Sequence, residues 1–159
     1  MVDISDFRQV PDNQEVFADT TDRSLIIEIL ESTPHTNLQS AAEFHFSEIV
    51  EANDASSSEV LQTKELSGTT CMVVGKQTVG KFNEAGKGME NAVYVAVALV
   101  RVAEHSADIL ITLNVPYMIA PGSSSGSQAV VEPVDVTVVA SEFEQLVETF
   151  TITDLGIFG

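Results

Sequence analysis

The chain has 159 residues, 44% hydrophobic and 19% charged, a composition that excludes general disorder and lets one domain bury a core without disulfides or metals. The 24 acidic against 7 basic side chains leave a net charge of -17, which repels phosphate backbones and anionic headgroups and argues against nucleic acid and membrane as partners. A basic protein surface is the complementary partner, although solubility alone also accounts for the imbalance.

At the N-terminus, residues 1–6 show no basic region followed by an apolar one, so no secretory leader is expected. Residues 2–17 mix acids with spaced apolars around Pro11 and read as turn and loop leading into a short extended stretch at Glu15, Val16 and Phe17. Leu25, Ile26, Ile29 and Leu30 then recur at helical spacing, which predicts a helix from Ser24 with Asp22 as N-cap and Pro34 as its stop. A second helix is predicted from Ser40, where Ser40 and Glu43 have the spacing of a capping box. Ala42, His45, Phe46, Ile49 and Val50 form its buried stripe, and residues 53–58 follow as a polar loop.

The middle of the chain predicts strands over residues 60–66, 70–77, 92–103 and 108–115, forming one sheet. In residues 93–100 both alternating sets are apolar, as a strand covered on both faces requires. The longest apolar run, residues 92–103, contains Arg101 and falls short of the roughly 18–20 residues of a membrane span. The 108–115 strand alternates Ile109, Ile111, Leu113 and Val115 with Asp108, Leu110, Thr112 and Asn114, so one of its faces is partly polar. Residues 121–127 are a Ser- and Gly-rich loop within the domain. A last helix is predicted from Ser141, where Ser141 and Glu144 repeat the capping-box spacing and Phe143, Leu146, Val147 and Phe150 form an apolar stripe. Residues 151–153 read as a short extended piece, and Leu155, Ile157 and Phe158 as a docked tail. The pattern is that of a sheet covered by helices on each side.

Gly75 to Lys81 has the spacing of a phosphate-binding loop, but the next position, which must supply Ser or Thr to Mg²⁺, is Phe82. A glycine-bearing hairpin explains the same residues. His35, His45 and His105 share no metal-ligand spacing, and Cys71, the one cysteine, cannot complete a thiolate site. The lone thiol fits a core position in a reducing compartment, cytoplasmic or nuclear. No Gly-x-Ser-x-Gly elbow occurs, and no enzyme class emerges. What remains is Pro11, Asp12, Asn13, Gln14 and Glu15, two acids flanking two amides on a surface turn. Such a turn can accept charge-assisted hydrogen bonds from Lys or Arg of a partner, and its proline limits the entropy lost on binding. On local chemistry alone such a cluster is more often a solvated turn than an interface.

The segment Asp3-Ile4-Ser5-Asp6-Phe7-Arg8-Gln9-Val10-Pro11-Asp12-Asn13-Gln14-Glu15-Val16-Phe17 closely resembles the signature of Mog-type Ran guanine nucleotide release factors. The resemblance continues through residues 98–102 and 108–116, and from Phe143-Glu144-Gln145-Leu146-Val147 to Ile157-Phe158-Gly159. It implies an α/β/α sandwich with a central, largely antiparallel sheet and helices on both faces, similar to the PsbP subunit of photosystem II, with residues 1–159 as one domain. Family members usually carry an upstream segment of the type Leu-Phe-Gly-Gly-Ala-Ile that enters the sheet. Its absence before Met1 gives the expectation of a missing edge strand.

The resemblance further implies binding to the Ran GTPase, stimulation of guanine nucleotide release and support of nuclear protein import, with the protein in the nucleus and also the cytoplasm. It implies a monomer without cofactor, metal or catalytic residues of its own, whose Ran-facing acidic patch maps onto Asp12 and Glu15, shaped by Pro11, Asn13 and Gln14. Two other readings stand beside it. One is a structural protein of the same fold, as PsbP is. The other is an enzyme or small-molecule binder using a cleft beside the sheet with His45 or His105.

Overall fold

The apolar strand of the sequence reading, β6 (Asn91–Val102), lies inside one seven-stranded antiparallel sheet of order β1-β2-β3-β7-β6-β5-β4. The computed structural model describes residues 1–79, 91–118 and 134–158. The other strands are β1 (Val2–Asp3), β2 (Gln14–Ala18), β3 (Ser24–Glu31), β4 (Ser57–Ser67), β5 (Thr70–Val79) and β7 (Ala107–Met118). Two helices, α1 (Leu38–Ala52) and α2 (Val136–Thr149), complete the described elements together with short 3-10 turns at Ala103–His105 and Leu155–Phe158. The Ser-rich residues 121–127 and the Gly80–Phe82 part of the phosphate-loop-like run lie outside the described residues.

Strand alternation divides the core between the two faces of the sheet. Met72 and Val74 of β5, Ala96 and Ala98 of β6, and Ile109, Ile111 and Leu113 of β7 share one buried cluster with Val139, Phe143 and Val147 of α2. The intervening residues Cys71, Val73, Val95, Val97, Leu99 and Leu110 cluster with Ala41, Ala42 and Phe46 of α1. Each helix therefore covers one face, and β6 is buried on both, as its two apolar registers require. Phe143 is fully buried and alone contributes roughly 2–3 kcal/mol of transfer free energy. Burial also pushes the pKa of the Cys71 thiol up, with Glu65 and Glu43 adding to the effect.

Gly75 shows how tightly α1 sits. A Cβ there would overlap the Phe46 ring and lie 2.6 Å from the Glu59 carbonyl oxygen, so only glycine lets the helix approach β5 this closely. Gly75 to Val79 pair in register with Val95 to Asn91 of β6 and run as a strand, not as a loop that could wrap a phosphate. Lys76 forms an ion pair with Glu59 at 3.1 Å.

Several expectations are corrected. The helix predicted from Ser24 is instead strand β3, paired with β2 and β7 along its length. Leu25, Ile27 and Ile29 pack toward α2, while Leu30 packs toward α1. A strand with apolar residues on both faces mimics helical spacing over so short a run, and its three isoleucines suit a pleated, half-buried surface. Asp22 is not an N-cap but occupies a left-handed position, φ 63°, in the turn before β3.

Both remaining helices begin earlier than the capping boxes suggested. Asn37 caps α1, its side-chain oxygen accepting the Ser40 N–H at 3.0 Å. Asp135 caps α2, accepting from the backbone N–H of Thr137 at 2.8 Å and from its hydroxyl at 2.7 Å. Ser40 and Ser141 thus lie inside helices whose first turns are already closed. Residues 57 and 58, read as loop, open β4. Residues 151–153, read as extended, join no strand.

Candidate functional site

The 11–15 turn is built by its own polar groups. The Gln14 N–H donates to the Pro11 carbonyl at 2.9 Å, closing a β-turn with Asp12 and Asn13 as its central residues and Pro11 at its entry. Asn13 then ties the turn to β3 at two points: its side-chain amide donates to the Ile29 carbonyl at 3.1 Å, and the Ile29 N–H donates to the Asn13 carbonyl at 2.9 Å. The Gln14 amide donates to Glu28 across the β2–β3 pair at 2.9 Å. The two amides therefore fix the turn against the sheet, while Asp12 and Glu15 are exposed. Among the described residues no cation pairs with either carboxylate.

Because Glu15 stands opposite Ile27 in register, its side chain projects on the α2 side of the sheet. There Asp12 and Glu15 line a cleft of about 510 Å³ whose other lining residues include Ile27, Ile29 and Ile109. The far bank is the segment that leaves α2: residues 150–154 and Ile157. Phe150, Ile152 and Phe158 pack onto the α2-side core, and the Phe158 ring stacks on His105 at 4.8 Å. Asp154 accepts the Gly156 N–H at 2.8 Å, shaping the final turn. Of the tail expected to dock, Phe158 alone packs onto the core; Ile157 lines the acidic cleft but is about half exposed, and Leu155 is exposed. Nothing in the local sequence linked Asp154 and Ile157 to Asp12; chain topology does so, by returning the segment after α2 over β3.

The histidines are dispersed. His45 is buried on α1 with Nδ1 3.3 Å from Glu48, and His35 lies against Phe44. A second cleft, of about 380 Å³, opens on the α1 side and is lined by Gln14, Asn53, Asn91, Thr112 and Asn114, with no histidine in its wall. Several of its polar groups are already engaged, Asn114 with Ser24 and Asn53 with Gln77.

Arg101 and Asp108, register partners on β6 and β7, form a further polar cluster. Nε and Nη2 of Arg101 each donate to Asp108 at 3.0 Å, and Nη1 donates to the His35 carbonyl at 2.7 Å. Asp108 is fully buried and also accepts from the Thr33 N–H at 3.3 Å and the Ser32 hydroxyl at 3.4 Å. The pair thereby anchors the link from β3 into α1. The hydrogen bond to Asp108 raises the pKa of Arg101 above its ordinary value, against the opposing effect of burial. On the partly polar face of β7, Asp108 is accounted for by this pairing and Asn114 by its bond to Ser24.

A seven-stranded antiparallel sheet between two helices, with an acidic cleft beside its second strand, defines an α/β/α sandwich protein. The chain belongs to the family of Ran-interacting Mog1 proteins, whose model matches residues 1–116. It is 36% identical to the Ran guanine nucleotide release factor of Danio rerio, over all of this chain and 91% of that one. To the Homo sapiens protein of the same name it is 33% identical, over 99% of this chain and 87% of that one. The crystal structure of the Saccharomyces cerevisiae Ran-binding protein Mog1p shares the fold, with a TM-score of 0.76 at 24% identity over 99% of this chain and 88% of that one.

Proposed function

We propose that this protein binds the Ran GTPase through Asp12 and Glu15 and promotes release of its guanine nucleotide, in support of nuclear protein import. The observation that carries the reading is the pair of exposed carboxylates, paired with no cation among the described residues, held outward by a turn whose amides are spent on the sheet. Membership of the Ran-interacting Mog1 family and relatives named as release factors support Ran as the partner. Pro11, Asn13 and Gln14 position the turn. The protein acts as a monomer in the nucleus and cytoplasm, and the net charge of -17 disfavours nucleic acid and membrane.

Release requires no covalent step by this chain. It requires tighter binding to the nucleotide-free GTPase than to the loaded one, because only differential affinity shifts that equilibrium. Carboxylates contribute by pairing with basic groups near the nucleotide site, where they compete with phosphate for positive charge or hold a switch segment open. The test is release of a fluorescent guanine nucleotide from purified Ran. Wild-type protein accelerates release, and Asp12→Lys and Glu15→Lys each weaken binding about 30-fold or more, as expected when a desolvated charge pair is broken. Wild-type rates from both folded variants would remove the site assignment. No acceleration by wild-type protein would remove the activity.

A further inference from the structure

The cleft beside the acidic turn has two banks, and the second has chemistry of its own. Asp154 is exposed on the segment that leaves α2, lining the same cleft as Asp12 and Glu15. Among the described residues it too lacks a cationic partner. One of its oxygens holds the Gly156 N–H, and a carboxylate has lone pairs for further donors. Between the banks lie Ile27, Ile29 and Ile109, and Ile157 stands 51% exposed at the lip. An isoleucine floor inside a carboxylate rim suits long basic side chains, which lay methylene stems on apolar surface and carry the charge at the tip.

We infer that the partner-binding surface continues from the 11–15 turn across this cleft to the C-terminal turn, where Asp154 supplies a third carboxylate and Ile157 an apolar contact. The occupant is a basic segment of the partner, with side-chain stems against Ile27 and Ile157 and cationic ends toward Asp12, Glu15 and Asp154. This rests on the proposed Ran-binding reading. It rests also on charge complementarity and on continuity with the turn: one cleft joins the two banks, so a partner seated on Asp12 and Glu15 meets Asp154 within the same depression. The stacking of Phe158 on His105 holds the second bank in place.

The test is calorimetric titration of full-length variants into purified Ran stripped of nucleotide, at low and high salt, with thermal melts to verify folding. Asp154→Asn keeps an oxygen for the Gly156 N–H and removes the charge. It weakens binding about 5-fold and reduces its salt dependence. Ile157→Ser weakens binding by about the same factor without changing the salt dependence. Glu51→Gln, an equal charge change on the exposed face of α1, leaves affinity at the wild-type value. If Asp12→Asn and Glu15→Gln weaken binding while Asp154→Asn and Ile157→Ser do not, the second bank is refuted and the 11–15 site stands. Equal losses in Asp154→Asn and Glu51→Gln would reduce the effect to net charge and also overturn the inference. Absence of wild-type binding would remove the Ran reading itself, and this inference with it.

Discussion

Replacing Asp108 by Ala leaves the Arg101 guanidinium, whose side chain is 15% exposed, without its carboxylate in the wall of the α1-side core. Two charge-assisted hydrogen bonds of 3.0 Å are lost, each contributing roughly 1.5–3 kcal/mol when one partner is ionised. The Ser32 and Thr33 donors lose their acceptor as well. Against this, Arg101 keeps its 2.7 Å bond to the His35 carbonyl and enough exposure to recruit water. The expected loss is therefore in the lower part of the range for a broken buried pair, about 3–4 kcal/mol. For a chain of this size that corresponds to a fall of about 6–16 °C in melting temperature. Urea unfolding by two probes, extrapolated linearly, measures it. The double replacement Arg101→Met with Asp108→Leu removes both charges and should lie within about 1.5 kcal/mol of wild type. A loss below about 1 kcal/mol for Asp108→Ala alone would refute the account, as would a double variant no better than the single one.

Two further predictions concern the helices. Gly75→Ala drives a methyl group into the Phe46 ring and toward the Glu59 carbonyl; because the carbonyl is backbone, the strain is not relieved by a rotamer change. About 1–3 kcal/mol of stability is lost, read as a lower urea midpoint at unchanged slope. The backbone N–H of Thr137, and then its hydroxyl, hold the Asp135 carboxyl below its ordinary value of 3.8. A folded-state pKa below the unfolded one means that the stabilisation is complete above the ordinary value and is lost as pH falls through the folded one. Asp135→Asn, which still offers a capping oxygen, should flatten the acid limb of stability below pH 3.8. Urea midpoints of both proteins between about pH 6 and about pH 2.5 test this; parallel curves would contradict it.

The strands of the second half were legible because their pattern has one physical solution. Residues 93–100, apolar in both registers, fit only an interior strand, and the alternation in residues 108–115 marks β7 directly. The stretch from Ser24 to Leu30 was ambiguous: Leu25, Ile26, Ile29 and Leu30 satisfy helical spacing, and also a half-buried strand with apolar residues on both faces. Its β-branched content and shortness were the signals favouring the strand. Helix starts were misplaced because Ser40 and Ser141 match a local motif equally present inside a helix, whereas Asn37 and Asp135 lack the paired Glu three residues on. At the site, Asp12 and Glu15 stood out only through the family signature. Asn13 and Gln14 proved to be spent on β3, which depends on register. Asp154 depends on where the chain returns after α2, and no window of sequence encodes that.

The division of the core by the sheet has a consequence for combining substitutions. Residues that alternate along β5, β6 and β7 belong to different clusters, Met72, Ala96 and Ile111 on one side and Val73, Val97 and Leu110 on the other. The backbone of the sheet is thus a partition wall, and side chains on opposite sides share few neighbours. Substitutions on opposite faces should be close to additive, whereas those sharing a face couple. The acidic cleft lies on the α2 side and the amide-lined cleft on the α1 side. Apart from Gln14, which lines both clefts, the two surfaces can accordingly be varied independently, each tuned against its own helix while the other keeps its packing.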